Sequence, residues 1–313
     1  MTDIKYGRKA SGIKRELQHK IEDWLKSIED PSVAALAKRD TIVTGGSIAS
    51  MLMGDKVNDY DIYFKTKSTT LAVANYYAKE FKKKWDKTKT INRYSPIIKE
   101  ETIENCLGED EDRVVVWLQS AGVASEGQED YKYFENMPKE ESRKFFKSMA
   151  KIAKKKGKKY RPIFLSQNAI TLSDKMQIVI RFYGEPEEIH RNYDFVHAKC
   201  YYSHYENHLE LNKEAMQAMM SHTLIYEGSL YPIASIFRMK KFLERGWRIT
   251  AGQQLKIMWQ ISELDLKDMQ LIREQLTGVD LAYMWELLAA LRDVDPEKIN
   301  SAYVARIIDR IFD

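Results

Sequence analysis

Residues 41–65 constrain this chain more than any other stretch: Thr-Ile-Val-Thr-Gly-Gly-Ser-Ile-Ala-Ser-Met-Leu-Met-Gly-Asp-Lys-Val-Asn-Asp-Tyr-Asp-Ile-Tyr-Phe-Lys. The β-branched run 41–44 predicts a strand that stops at Gly45-Gly46, where the missing Cβ lets the backbone turn sharply and approach a ligand. Ser47 then opens a helix whose Ile48, Met51 and Leu52 recur at helical spacing on its inner side. Gly46 and Ser47 therefore stand at a helix N-terminus, where free N–H groups and the dipole favour an anion, most simply a phosphate. After a turn at Gly54-Asp55, residues 59–64 alternate with period two, so Tyr60, Ile62 and Phe64 face one side and Asp59 and Asp61 the other. Two carboxylates on one face repel each other and raise one pKa. A divalent cation resolves the conflict, and Mg²⁺ is typically held by one or two carboxylates together with substrate phosphates.

Gly45-Gly46-Ser47 followed by Asp59-x-Asp61 resembles the signature of the DNA polymerase β-like nucleotidyltransferase superfamily, which includes poly(A) polymerases, CCA-adding enzymes, cyclic-dinucleotide synthases and antibiotic nucleotidyltransferases. The chain also resembles the stand-alone nucleotidyltransferases of large phages. The resemblance implies an α+β fold, with a mixed sheet bearing the acids and a helical C-terminal domain. It implies that Asp59 and Asp61 bridge two Mg²⁺ (or Mn²⁺) ions, while the Gly45-Gly46 turn and Ser47 hold the terminal phosphates of a nucleoside triphosphate such as ATP. In-line attack of an acceptor hydroxyl on the α-phosphorus then releases pyrophosphate. Members usually carry a third carboxylate on a neighbouring strand, where it holds the ion that activates the acceptor. Asp194, at the start of an expected strand over 193–202, is the preferred candidate and Glu210 its rival.

A chain of 313 residues has room for two domains. The expected division is a catalytic domain over 1–211, with an inserted subdomain at about 86–160, and a helical domain over 212–313. With 50 Lys+Arg against 46 Asp+Glu the net charge is +4, too small to select a polyanionic partner by itself. Only Cys106 and Cys200 occur, so no disulfide framework is expected. Residues 1–5 lack the apolar core of a signal peptide and no segment offers 18 apolar residues in a row, which together predict a cytoplasmic protein without a membrane partner. The oligomeric state is left open.

Residues 12–29 place Ile13, Leu17, Ile21, Trp24, Leu25 and Ile28 on one helical face, and 71–85 reads as another helix. Strands are expected at 94–99, 114–118, 163–165, 169–172 and 176–182, with a polar loop at 120–130 and a short Pro-initiated helix at 185–190. The helix expected over 139–161 ends in Lys154, Lys155, Lys156, Lys158 and Lys159. A solvated face is the usual meaning of such a run, and the glycine–acid motif adds the alternative of an RNA backbone. His190, His197, His204 and His208 lie near Cys200, but their spacing matches no zinc module and hydrogen-bonded imidazoles are the better account. Beyond residue 212 helical stripes follow one another: Leu255, Met258 and Trp259; Leu266, Met269 and Ile272; Leu281, Met284, Trp285, Leu288 and Leu291; then Ile299, Tyr303, Ile307 and Ile311 after a helix start at Asp295-Pro296.

Within that region Arg238, Lys241 and Arg245 lie at i, i+3 and i+7, which makes one helix face cationic. The segment is similar to the Arg-x-x-Arg-Phe-x-x-Arg helix of bacterial poly(A) polymerases and CCA-adding enzymes, and the resemblance implies contact with the triphosphate or the acceptor. An RNA 3′ end is thus the leading acceptor, ahead of a small molecule or a protein. The alternative of a different class is a catalytically silent nucleic-acid-binding or toxin-neutralising protein of the same fold.

Overall fold

Ile13, Leu17, Ile21 and Trp24 recur every three or four residues and form the buried stripe of helix α1 (Ala10–Ser27). In the computed structural model residues 7–85, 94–104, 108–120, 131–132, 158–266 and 268–276 are described, with short helical pieces between 302 and 309. The polar loop at 121–130, most of the basic helix at 139–157, the stripe from Leu281 to Leu291, the helix start at Asp295 and Ile299, Ile307 and Ile311 lie outside the described residues. The fold is α+β, and the chain forms two compact units, Met1–Arg191 with His197–Met219, and Asn192–Val196 with Met220–Asp313.

The first unit is built on α1, α2 (Pro31–Asp40), β1 (Thr41–Thr44), α3 (Gly46–Met53), β2 (Tyr60–Phe64) and α4 (Lys67–Trp85). A three-stranded sheet follows, β3 (Tyr94–Glu104), β4 (Asp110–Ser120) and β5 (Tyr131–Lys132), within the stretch expected as an insertion. Next come β6 (Pro162–Leu165), β7 (Ala169–Leu172), β8 (Met176–Val179), α5 (Pro186–His190), β9 (Tyr201–Ser203) and β10 (His208–Glu210). The main sheet has the order β10-β9-β1-β2-β8-β7-β6. All its pairings are antiparallel except β2 with β8, so the sheet is mixed as expected.

The alternation of β2 sets the two faces of this sheet. Phe64 packs against Trp24 of α1 at 6.3 Å between ring centroids, and Tyr60 donates to Glu16 Oε1 at 2.7 Å. Trp24 in turn donates to the Tyr77 hydroxyl of α4 at 2.7 Å, which satisfies the indole N–H inside the core. Asp59 and Asp61 are thereby directed to the face away from α1. The three-stranded sheet is fastened to the main one by the buried Arg181, which donates to Glu111 at 2.9 Å, and by Val116 N–H to Gln167 O at 3.0 Å.

The stretch 193–202 is not the single strand that the sequence suggested. Phe195 and Val196 are both buried, which no alternating strand allows on a one-sided sheet, and a 3₁₀ turn over Val196–Ala198 precedes the short β9. Asn192–Val196 belongs to the second unit, where Val196 N–H donates to Ile225 O at 3.1 Å and Phe195 forms a β-bridge with Tyr226. Past α6 (Lys213–Ser221), that unit contains α7 (Pro232–Glu244), α8 (Ala251–Ser262) and α9 (Met269–Gln275), as the helical periodicity predicts. It also pairs β11 (Thr223–Leu224) with β12 (Arg248–Ile249) in parallel, too short a pair to show in a sequence pattern. Leu255, Met258 and Trp259 are 58, 61 and 65% exposed, so the stripe read from α8 points outward and Ile257 is the inward residue.

Asp40 ties β1 to the start of α4. It accepts from Arg39 Nε and Nη2 at 2.6 and 2.7 Å, from Thr66 Oγ1 at 2.6 Å and from Thr69 Oγ1. Burial opposes its charge, but these hydrogen bonds and the Arg39 cation outweigh that and depress its pKa to about 2. A depressed carboxylate stabilises the fold above its unfolded pKa near 4 and loses that contribution as pH falls towards about 2. Asp40→Ala is predicted to cost on the order of 1–3 kcal/mol at pH 7, because the buried Thr69 hydroxyl and the half-buried Thr66 hydroxyl lose this acceptor. In urea denaturation the gap between wild type and variant should shrink at pH 3; a gap independent of pH would refute this role.

Candidate functional site

The register of the main sheet brings the glycine turn to the acids. Thr44, the last residue of β1, is the direct cross-strand partner of Asp61. The next residue, Gly45, has φ +95°, a left-handed conformation that side chains resist, and it caps α3. Gly46, the first residue of that helix, is exposed, and a Cβ built on it would meet nothing within 4 Å. Space for a ligand therefore adjoins the free amides of the helix N-terminus. Ser47 is only 2% exposed and its hydroxyl has no hydrogen-bond partner among the described residues. A buried polar group left in that state costs on the order of 1–3 kcal/mol, a cost that a bound phosphate would remove.

Asp61 is half-buried and its pKa is pushed up to about 7, first by burial and then by the charge of Asp59, which stands exposed just before β2. Neither acid has a hydrogen bond or ion pair with a cationic side chain among the described residues. Two hard oxygen donors, crowded and without a counter-ion, fit Mg²⁺ or Mn²⁺. On the same face the Thr44 hydroxyl lies 2.8 Å from His190 Nε2 and donates to Cys200 O at 3.0 Å. His190 is held down to about 4 by burial and by the charge of Lys199, so its imidazole is neutral where it meets Thr44. Gly45 N–H donates to Ala198 O at 3.1 Å, which fixes the turn against the segment that precedes β9.

Asp194 does not open a strand, as the sequence reading expected, and no acid stands beside Asp61 on the neighbouring strands. Asp61 stands between Thr44 on β1 and Gln177 on β8, so neither adjacent strand offers an acid beside it. Glu210 lies on the same row through Thr44 and Tyr201, three strand spacings from Asp61, or about 14 Å, too far to share an ion. Asp194 is not on a strand of the main sheet. It belongs to the second unit, where it accepts from Arg238 Nε at 2.6 Å and its carbonyl accepts from Glu227 N–H. No group of three or more His, Cys, Asp or Glu side chains is placed to hold a metal ion among the described residues.

The predicted cations are distributed differently from the acids. Arg238 is committed to Asp194, while Lys241 and Arg245 are exposed on α7, with the Arg245 guanidinium 5.6 Å from the Phe242 ring. Lys158 pairs with Glu29 at 2.8 Å and Lys159 with Asp23 at 3.7 Å; Lys154, Lys155 and Lys156 lie outside the described residues. Sequence reasoning missed Thr44, His190 and Gln177, because their place beside Asp61 follows from strand register and from a contact 146 residues apart.

Residues 15–222 match the Gabija anti-defense 2 family. No curated protein matches the chain. Among solved structures it is similar to the Thermotoga maritima CCA-adding enzyme complexed with tRNA, at 12% identity over 93% of this chain and 53% of that one, with a TM-score of 0.37. The Bacillus stearothermophilus CCA-adding enzyme in complex with CTP matches at 12% identity over 86% and 51%, with a TM-score of 0.34. The chain thus spans about half the length of these structures.

The elevated pKa of Asp61 carries a definite sign. Because the folded state holds this proton more tightly than the unfolded state, stability conferred by the protonated acid is full below pH 4 and is lost as pH rises through about 7. Asp61→Asn removes the penalty. The metal-free variant is predicted to exceed wild type by up to about 4 kcal/mol at pH 8 and to match it below pH 4. Urea denaturation across pH 4–8 measures this; parallel curves would show that Asp61 is not strained.

Proposed function

The chain belongs to the Gabija anti-defense 2 family, and we propose that it is a metal-dependent nucleotidyltransferase that places a nucleoside monophosphate on a hydroxyl of a component that a Gabija defence requires. One observation carries this reading: Asp61, crowded by Asp59, is paired across the sheet with Thr44, directly before the turn where Ser47 keeps an unpartnered buried hydroxyl. An anion cradle and a strained acid pair at one strand end fit a triphosphate and its cation together.

In this reading the Gly46 and Ser47 amides and the Ser47 hydroxyl hold the terminal phosphates. Asp59 and Asp61 would hold the divalent cation, which when bound supplies positive charge to the phosphates. Burial and the charge of Asp59 favour the protonated form of Asp61, and a bound cation would favour its carboxylate. Thr44 and His190 keep the end of β1 fixed, and with it the turn that the phosphates contact. The pairing of Lys158, Lys159 and Arg238 with acids favours a protein or small-molecule hydroxyl as acceptor. An RNA 3′ end is the second reading, supported by the exposed Lys241 and Arg245.

Incubation with each α-labelled nucleoside triphosphate and Mg²⁺ or Mn²⁺, in parallel with total RNA and with purified Gabija proteins, tests the proposal. Label is expected on one acceptor class, and Asp59→Asn should lower transfer by orders of magnitude while melting no earlier than wild type. Absence of transfer to every acceptor, or equal transfer by the variant, would overturn it.

A further inference from the structure

The turn at Gly45 has a wall, and that wall is the backbone on either side of Lys199. Gly45 N–H donates to Ala198 O at 3.1 Å, the Thr44 hydroxyl donates to Cys200 O at 3.0 Å, and Tyr201 is the cross-strand partner of Thr44. Lys199 is therefore held beside the two residues that lead into the phosphate cradle. Its charge also acts on a residue tied to the face that carries Asp61. The Thr44 side chain shares that face with its partner Asp61, His190 is bonded to Thr44, and the Lys199 charge reaches the His190 imidazole.

Lys199 does not act as the counter-ion of the acid pair. Burial and Asp59 shift Asp61, both upwards, with no opposing contribution from a cation. The lysine is half-buried, and Glu214 offsets only part of what it loses in leaving water. A compact ammonium on the segment that walls the glycine turn suits a phosphate oxygen. We infer that Lys199 binds the terminal phosphates of the nucleoside triphosphate at the Gly45–Ser47 turn, an assignment that rests on the nucleotidyl-transfer reading and adds to it a residue that no motif marks. The acids then hold the cation and the lysine the phosphate charge that the cation leaves uncompensated.

Equilibrium binding of a non-hydrolysable ATP analogue and of adenosine, in Mg²⁺ and alongside thermal melts, tests the assignment with wild type, Lys199→Met and Lys199→Arg; the other three triphosphate analogues are used if ATP fails. Wild type is expected to bind one analogue, Lys199→Met to lose about 10- to 100-fold in that affinity, and Lys199→Arg to recover most of it. Weak nucleoside binding should be the same in all three proteins, and Lys199→Met should melt no earlier, since a buried charge is replaced by an apolar chain of similar length. If wild type binds no triphosphate, the nucleotidyl-transfer reading itself fails. If wild type binds and Lys199→Met binds equally well, only the role of Lys199 is overturned. A folded Lys199→Arg that binds as poorly as a folded Lys199→Met overturns it too, and should the Met variant melt early, the Arg variant decides alone.

Discussion

The pairing of Thr44 with Asp61 is the constraint on which the site depends. Backbone hydrogen bonds between β1 and β2 fix these residues opposite each other, and a slip of one position would turn Asp61 towards α1 and Phe64 out of its contact with Trp24. The core thus sets the register, and the register places the acid beside the glycine turn. Trp24, Tyr77, Phe64 and Ile62 are all buried, so a slipped strand would lose apolar burial worth several kcal/mol. The site is positioned by packing that lies on the other face of the sheet.

The face of Asp61 carries polar groups that its own neighbours do not satisfy. Asp61 carries a pKa near 7, Ser47 keeps a buried hydroxyl without a partner, and Lys199 is half-buried beside a carboxylate that compensates it only in part. In the proposed reading, one oxygen-rich anion accompanied by a cation would satisfy all three. Their meeting at one end of β1, where Thr44 is paired with Asp61, is what makes this face a candidate site.

Much of this was legible in the sequence where the signal is local. Glycines that permit a positive φ, helical spacing in α1 and period two in β2 each report a preference of a few neighbouring residues, and the structure follows them. What was not legible depends on long-range register. Asp194 was expected as a strand-borne acid because it stands at the start of the run 193–202, yet that run is not one strand, and Asp194 meets Arg238 within the second unit. Leu255, Met258 and Trp259 show the same limit: helical spacing reveals that a face is apolar and not whether anything covers it. Gln177, His190 and Lys199 carry no motif, and only the fold sets Gln177 beside Asp61, His190 on Thr44 and Lys199 beside the glycine turn.

The central claim, that the Gly45–Ser47 turn and the Asp59–Asp61 pair form one site for a triphosphate and its cation, is tested most directly by a crystal structure with Mn²⁺ and a non-hydrolysable nucleoside triphosphate. The account predicts an anomalous manganese peak at coordination distance from both Asp59 and Asp61, with terminal phosphate oxygens on the Ser47 amide and hydroxyl. Manganese bound elsewhere, or a triphosphate seated away from that turn while Ser47 stays unpartnered, would contradict it.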